Sequence, residues 1–401
     1  MRGPRMSTAD DLARRTRAFV AEHVLPVDDT YDGDVVAAGG DDLRLRLQAK
    51  AREAGLLTPH GPVEHGGLGL GMVDRAAVFE EAGYSLFGPL ALNVAAPDEG
   101  NVHLLDKVAR GTQRERYLAP LVRGDVRSAF AMTEPAPGAG ADPAALTSRA
   151  SKVDGGWLLD AHKHLITGAD GAGFFIVFAR TSGEPGDSGG ATMFLVPADR
   201  AGIEVVRHVT TMDASMLGGH CELRLRGVFV PDEDVLGEVD LGLRYVQVRL
   251  GPARMTHVMR WTGAARRAHE VAVQYAASRT MFGSSLAGLG LAQQLIADNE
   301  IDLAATRALL QQACVILDQG GRASKETSIV KTFAAEALHR VADRAMQLCG
   351  GLGVSADLPV AKIAREIRPF RIYDGPSEVH RWSIARRAVR EITGTRTGGP
   401  A

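Results

Sequence analysis

APDEGNVHLLDKVARGTQRERYLAPLVRGDVRSAFAMTEP, residues Ala96 to Pro135, is where the chain changes from one periodicity to another. Asn101 to Arg110 carries its apolar residues at helical spacing, whereas SAFAM, from Ser128 to Met132, is a short apolar run that breaks at Pro135 as a strand does. Upstream the pattern is helical. Ser7 to Asp11 supplies N-cap candidates, after which Leu12, Phe19, Val20 and Val24 recur near helical spacing until Pro26. Leu43, Leu47, Ala51 and Ala54 share a face that Gly55 closes, and Met72 to Glu81 is a further amphipathic run.

Downstream, to about Gly237, the runs are short and rich in β-branched and aromatic residues: WLLDAH, GFFIVFAR, ATMFLVP, IEVVRHV and CELRLRGVFVP. Asp154-Gly155-Gly156 predicts a hairpin, and the Gly, Pro and Ser cluster from Ser182 to Gly190 predicts an exposed loop. After Asp240 helical patterns return. Ile296, Leu303, Leu310 and Leu317, spaced by sevens, draw an apolar stripe, and Arg254 to Phe282, Leu291 to Asp318, Ser324 to Cys349 and Ser377 to Ile392 predict four antiparallel helices. The expectation is an α+β chain: an N-terminal α-helical domain over 1–127, a middle β-barrel or sandwich domain over 128–238, and a C-terminal four-helix bundle domain over 239–401.

Composition narrows the function classes. With 401 residues and 45% hydrophobic residues a sizeable core is available, and a formal net charge of −2 gives no electrostatic footprint for nucleic acid. Cys221, Cys314 and Cys349 are odd in number and widely spaced, which suggests neither a disulfide framework nor a cysteine metal site. No apolar run reaches the ~18 residues that span a bilayer. The basic first residues are not followed by an apolar signal core, so a cytoplasmic protein without membrane insertion is expected. His162 and His164 alternate on one strand face, but no third ligand stands at a recognisable spacing, so a metal hydrolase is disfavoured.

Taken with the opening stretch, RTMFG (Arg279 to Gly283), QLCGGLG (Gln347 to Gly353) and RIYDGPSEVH (Arg371 to His380) resemble the acyl-CoA dehydrogenase family in order and spacing over nearly the whole chain. DGPSEVH together with RLGPARMTHVMR (Arg249 to Arg260) resembles the branch holding family members 10 and 11 of animals. The resemblance implies a role for each motif residue.

By that resemblance Phe130, Met132 and Thr133 would lie on the flavin of an FAD, as would Leu165, Ile166 and Thr167 of LITG, with the Thr167 hydroxyl near flavin N5. Leu165 stands where the family usually has tryptophan, and an aliphatic side chain shields a flavin less. Arg279 would pair with the FAD pyrophosphate through its planar fork, with Phe282 packed beside it. The glutamine usually found several residues on is replaced by Leu289 and Gly290. Gln347, Gly350 and Gly351 would meet the FAD of a neighbouring subunit, which implies a homodimer or homotetramer. Ser377 and Glu378 belong to the cofactor set, while Ser377 also reads as a helix N-cap. Ala141, where a serine often touches the CoA chain, Arg254 and Gly375 are the substrate-binding candidates.

Asp374 takes the place of the catalytic carboxylate, most often glutamate in the family. Removing the α-proton of an acyl thioester needs a base and preorganised donors for the developing enolate oxygen, in the family a flavin ribityl hydroxyl and the backbone N–H of the base residue. Hydride then leaves the β-carbon for the flavin. The substrate is expected to be acyl-CoA or an acyl-carrier-protein thioester, and the electron acceptor an electron-transfer flavoprotein or its like. Desolvation on substrate binding would raise the pKa of Asp374, and Arg381, two helical turns on, would oppose that if near. Two other readings stay open: a flavin oxidase or monooxygenase on the same scaffold, and a catalytically silent flavin-binding assembly partner.

Overall fold

The computed structural model describes residues 8–395, so Ser7 lies outside the described residues. The chain forms two compact units: Val35–Leu70 with Leu90–Ala253, and the described parts of Met1–Asp34, Gly71–Pro89 and Arg254–Ala401.

The first unit is built on strands β1 (Ser128–Ala131), β2 (Arg149–Val153), β3 (Gly156–Thr167), β4 (Phe174–Arg180), β5 (Ala191–Pro197), β6 (Ile203–His208), β7 (His220–Pro231) and β8 (Val235–Leu236). Their order is β6-β7-β3-β2-β4-β5-β8, and β1 joins β4 in parallel. Val153 pairs with Gly156 across the predicted hairpin, where Gly155 takes the positive φ of 72° that the two-residue turn requires. Every residue of β4 is buried because both its faces are covered. Phe174, Ile176 and Phe178 pack with Val102, Leu105 and Leu121 from the helical segments Asp98–Val108 and Ala119–Val122. Phe175 and Val177 pack with Trp157, Leu159, Leu223 and Val228 of β3 and β7. Arg180 ends the strand fully buried, its guanidinium donating to the carbonyls of Leu146 (3.1 Å), Gly189 (2.9 Å) and Ala144 (2.8 Å). It therefore anchors the base of the exposed Ser182–Gly190 loop.

The second unit is helical. Helices Gly290–Asp318, Ser324–Cys349 and Ser377–Thr393 match the sequence expectation closely. The remaining long helix, Gly242–Ser278, begins ahead of the expected Arg254 and passes through Pro252. An interior proline removes a hydrogen bond and costs about 3 kcal/mol, which is why pattern reading stops there. The buried face of Gly290–Asp318 holds Leu303 and Leu310 but also Asn299, Asp302 and Thr306. Asp302 is satisfied by Arg340 (2.7 Å) and Arg344 (2.8 Å) from Ser324–Cys349. Helices Met72–Ala82 and Gly242–Ser278 touch backbone to backbone: a Cβ on Gly83 would stand 2.0 Å from the Arg260 carbonyl oxygen, and one on Gly263 2.0 Å from that of Glu80. Among the described residues no helix is long and apolar enough to cross a membrane.

Asp28 is the polar hub of this unit. It is wholly buried and accepts from Ser85 Oγ (2.8 Å), Leu86 N (2.9 Å), Arg267 (2.8 Å) and Lys362 Nζ (3.1 Å). Removing the anion leaves the two buried cations to the more exposed Asp29, which Arg267 also meets and which lies 3.4 Å from Lys362, and breaking a buried pair costs about 3–5 kcal/mol. Asp28→Ala is therefore expected to lose about that much stability in equilibrium urea unfolding, whereas a loss within error would show that the two cations find other partners.

Candidate active site

Asp374 sits in a turn between the short helical stretch Arg368–Arg371 and helix Ser377–Thr393. Asp374 and Gly375 have φ of 54° and 94°, two consecutive left-handed residues. Aspartate tolerates that region better than most side chains, and Gly375 has no alternative, because its Cβ would also stand 2.9 Å from His380 Nε2. Side chains from three helices hold the turn through its carbonyls. Arg254 Nε donates to the Asp374 carbonyl oxygen at 2.9 Å, His380 Nε2 donates to the same oxygen at 3.2 Å, and Lys331 Nζ donates to the Gly375 oxygen at 2.7 Å.

Burial shapes the charges of these donors. It pulls the Lys331 amine down to about 8, against the attraction of Asp374. It pulls the His380 ring down to about 4, helped by repulsion from Arg254 and Lys331, so His380 is neutral at pH 7 and acts as an Nε2–H donor. Burial lowers the Arg254 guanidinium as well, again opposed by Asp374. Arg381 is turned elsewhere, 3.7 Å from Glu336, which Arg371 also meets at 2.9 Å. Arg254 and Lys331 are cations coupled to Asp374.

In the β unit the AMTEP segment is fastened by Glu134. Its carboxylate accepts from the backbone N–H groups of Thr147 (2.7 Å) and Ser148 (2.9 Å), from both their hydroxyls, and from Lys163 Nζ (2.8 Å). Burial would push its carboxyl up, but Lys163 and these donors outweigh that and hold it at about 2. Lys163 also reaches the Met132 carbonyl oxygen (3.3 Å), and His164 N donates to that of Thr133 (2.9 Å), so the segment is pinned from beneath while Thr133 stays half-buried. Phe130 lies edge-on to Phe178 and under the Arg249 guanidinium, 4.2 Å from its ring centre. Leu165 sits at a bulge of β3 with φ of 56° and its side chain 45% exposed, while Ile166 is buried in the core and offers only backbone outward. The Thr167 hydroxyl lies 2.9 Å from His220 Nδ1, and His220 Nε2 lies 2.7 Å from Asp213. A carboxylate only accepts, so neutral His220 carries its proton on Nε2 and Thr167 donates to Nδ1. The expected donation from Thr167 towards a cofactor meets a competing acceptor there.

The N-terminal, middle and C-terminal domains of acyl-CoA dehydrogenase match residues 7–125, 129–228 and 240–389. FadE2 of Mycobacterium tuberculosis H37Rv is 36% identical over 388 residues, covering 94% of this chain and 94% of FadE2. The chain belongs to the acyl-CoA dehydrogenase family. Acyl-CoA dehydrogenase family member 11 of Mus musculus is 32% identical over 396 residues, which are 95% of this chain but 50% of that protein, so the chain spans about half of it. A solved acyl-CoA dehydrogenase homologue from Mycobacterium abscessus superposes with a TM-score of 0.89 at 33% identity, covering 97% and 99% of the two chains. The fold is accordingly that of the acyl-CoA dehydrogenases, with N-terminal helical, middle β and C-terminal helical domains.

The other motif residues, Ser377 excepted, lie at the surface of their units. Arg279 follows the end of helix Gly242–Ser278, exposed and without a side-chain partner among the described residues. Phe282, expected to pack beside it, is 93% exposed at a φ of 50°. Gln347, Gly350 and Gly351 are exposed, and so is Ala141. Ser377 is buried as the first residue of its helix, with Pro376 rather than Ser377 at the cap position, and Glu378 is exposed beside it. His162 is paired with Glu222 at 2.6 Å, and no group of three or more metal-ligating side chains occurs among the described residues.

Sequence reading missed His257, Lys331, Glu134 and Lys163. Lys331 left one trace, a lysine flanked by Ile329, Val330 and Phe333 in the helical SIVKTFAAEA. The Glu134–Lys163 pair gives a pH test. The folded pKa of Glu134, about 2, lies below its ordinary 4.5, so its contribution is complete above that ordinary value and is lost as pH falls towards 2. Urea midpoints at pH 7 and pH 3 should differ less in Glu134→Gln than in the wild type. Equal differences would place the acid sensitivity elsewhere.

Proposed function

We propose that the protein is an FAD-dependent dehydrogenase that converts an acyl thioester to its trans-2-enoyl thioester, with Asp374 taking the α-proton. The observation that carries this reading is the Asp374–Gly375 turn, whose carbonyls are bound by Arg254, His380 and Lys331. Such pinning holds a short carboxylate at one place, which a general base needs and an ordinary helix-entry aspartate does not.

The residues present fit the cofactor. Arg279 is a guanidinium without a side-chain partner among the described residues, suited to a diphosphate. A Cβ on Gly351 would meet nothing within 4 Å, so the chain's own packing does not demand glycine there, whereas close approach of a ligand would. Leu165 in a left-handed bulge is a strained, outward-facing residue of the kind that clusters at binding sites. Phe130, Met132, Thr133, Leu165, Ile166 (through backbone) and Thr167, with Arg279, Phe282, Gln347, Gly350, Gly351, Ser377 and Glu378, are the proposed contacts. FAD bound there would supply an acceptor for the hydride leaving the β-carbon.

The chain's own part is proton and charge control. Asp374 takes the proton, its backbone N–H stabilises the enolate oxygen, and Arg254 and Lys331 keep the region cationic while that negative charge develops. Ala141, Arg254 and Gly375 are the proposed substrate contacts, with CoA or a carrier-protein pantetheine as the thioester's carrier. An electron-transfer flavoprotein or a similar protein would reoxidise the enzyme, which acts as a homodimer or homotetramer in the cytoplasm. The exposed aliphatic Leu165 favours one second reading, a flavin oxidase using dioxygen.

Anaerobic titration with a panel of acyl-CoA thioesters tests this. The purified protein should be yellow, one acyl class should bleach the flavin, and Asp374→Asn should bleach about 1,000-fold more slowly. A bound flavin that no thioester reduces would sink the reading, and stoichiometric hydrogen peroxide in air would favour the oxidase.

A further inference from the structure

The imidazole of His257 faces the Asp374 carboxylate, and the proton and hydride transfers proposed for the reaction give it no task. It lies one turn beyond Arg254 on helix Gly242–Ser278, 7% exposed, with Nε2 3.4 Å from Asp374 Oδ2. Its other nitrogen is committed: Nδ1 lies 3.0 Å from the Arg260 guanidinium and 3.4 Å from the Tyr373 hydroxyl. A guanidinium has donors only, so Nδ1 accepts, and a neutral His257 must carry its proton on Nε2. Trp261 Nε1 donates to the Tyr373 hydroxyl at 2.5 Å, which leaves the phenol proton available for Nδ1 too. The ring planes of Tyr373 and Phe370, with centres 4.9 and 5.8 Å away, fix the imidazole's tilt.

We propose that His257 is the positioning residue of the base: its Nε2, at 3.4 Å from Asp374 Oδ2 and not aligned for a hydrogen bond in this structure, closes on that oxygen as an N–H donor when substrate binds, fixes the carboxylate plane, and leaves Oδ1 for the substrate's α-proton. The inference rests on the reading of Asp374 as the base. Other charged and titratable groups surround the site: Arg254 and Arg260 on the same helix, Lys331 and Glu336 from Ser324–Cys349, His380 and Glu378 from Ser377–Thr393, and Tyr373 in the turn. Arg254, Lys331 and His380 spend their hydrogen bonds on backbone carbonyls of the turn. His257 differs in standing at ion-pair distance from the carboxylate itself. A donor aimed at the ionised form stabilises that form, so removing it lets the base protonate at higher pH.

The test uses the full-length flavin-loaded protein and the acyl-CoA that bleaches it fastest. His257→Leu removes the donor, whereas His257→Gln returns an N–H close to the place of Nε2. In His257→Leu the acid limb of the reduction rate should move up by about one pH unit. On the acid limb, below its midpoint, the rate at a given pH should fall about tenfold while thioester binding changes by less than about twofold, and His257→Gln should restore most of the rate. Nitrogen-15 spectra of the wild-type protein, with His257 identified from His257→Gln, should show the Nε2–H tautomer, a readout independent of turnover and of whether His257→Leu folds. An Nδ1–H tautomer, or a pH profile unchanged in His257→Leu, overturns the proposal. If Asp374→Asn is inert while His257→Leu matches the wild type, only the role of His257 falls. If Asp374→Asn reduces its flavin at the wild-type rate, Asp374 is not the base and the proposal goes with it.

Discussion

Two carbonyl oxygens, those of Asp374 and Gly375, constrain the helical unit's chemistry. Buried cationic side chains need acceptors, and a backbone carbonyl freed by a left-handed turn supplies one without adding a negative charge. Arg254, Lys331 and His380 reach the turn from different helices, so the position of the Asp374 side chain is set by how those helices pack. The near-contact of Gly83 with Arg260 and of Gly263 with Glu80 fixes the axial position of the helix that carries Arg254 and His257. A shift of that helix would move two of the side chains that address Asp374 together.

The β unit solves a comparable problem with a different device. AMTEP ends a strand, and a chain leaving a sheet at a proline would ordinarily be mobile. Glu134 prevents this by collecting backbone, hydroxyl and ammonium donors from Thr147, Ser148 and Lys163. The pair is buried on both sides and the remaining carboxylate lone pairs are satisfied, the condition under which a buried ion pair is tolerated. Its effect is local order: Met132 and Thr133 keep one conformation because their carbonyls are held from β3.

The sequence made the element order legible because periodicity is a local property. The switch at Ser128, the Asp154–Gly155 hairpin and three of the four long helices follow from spacing and turn residues alone. The start of helix Gly242–Ser278 did not, since Pro252 locally forbids what the surrounding packing enforces. The proposal of Asp374 as the base came only through the family resemblance, because aspartate before glycine and proline reads as a turn. His257, Lys331 and Lys163 were illegible for a deeper reason. Each acts on a residue far away in sequence, and no local signal states where a buried polar side chain finds its partner.

An aspartate in this place shifts work from side chain to backbone. Its carboxylate has two torsions between it and the main chain, where a glutamate has three, so its reach is shorter and its position follows the local φ and ψ more closely. A glutamate could search for its substrate with the backbone loosely held. In the proposed role of Asp374 the backbone would have to deliver the carboxylate, a demand met by a left-handed φ at a non-glycine residue, a second left-handed residue beside it, and carbonyl ligands from three helices. The same economy explains why a ring as rigid as His257, gripped on its far side by Arg260, stands opposite the carboxylate. A short base gains little from flexible neighbours, because it cannot follow them.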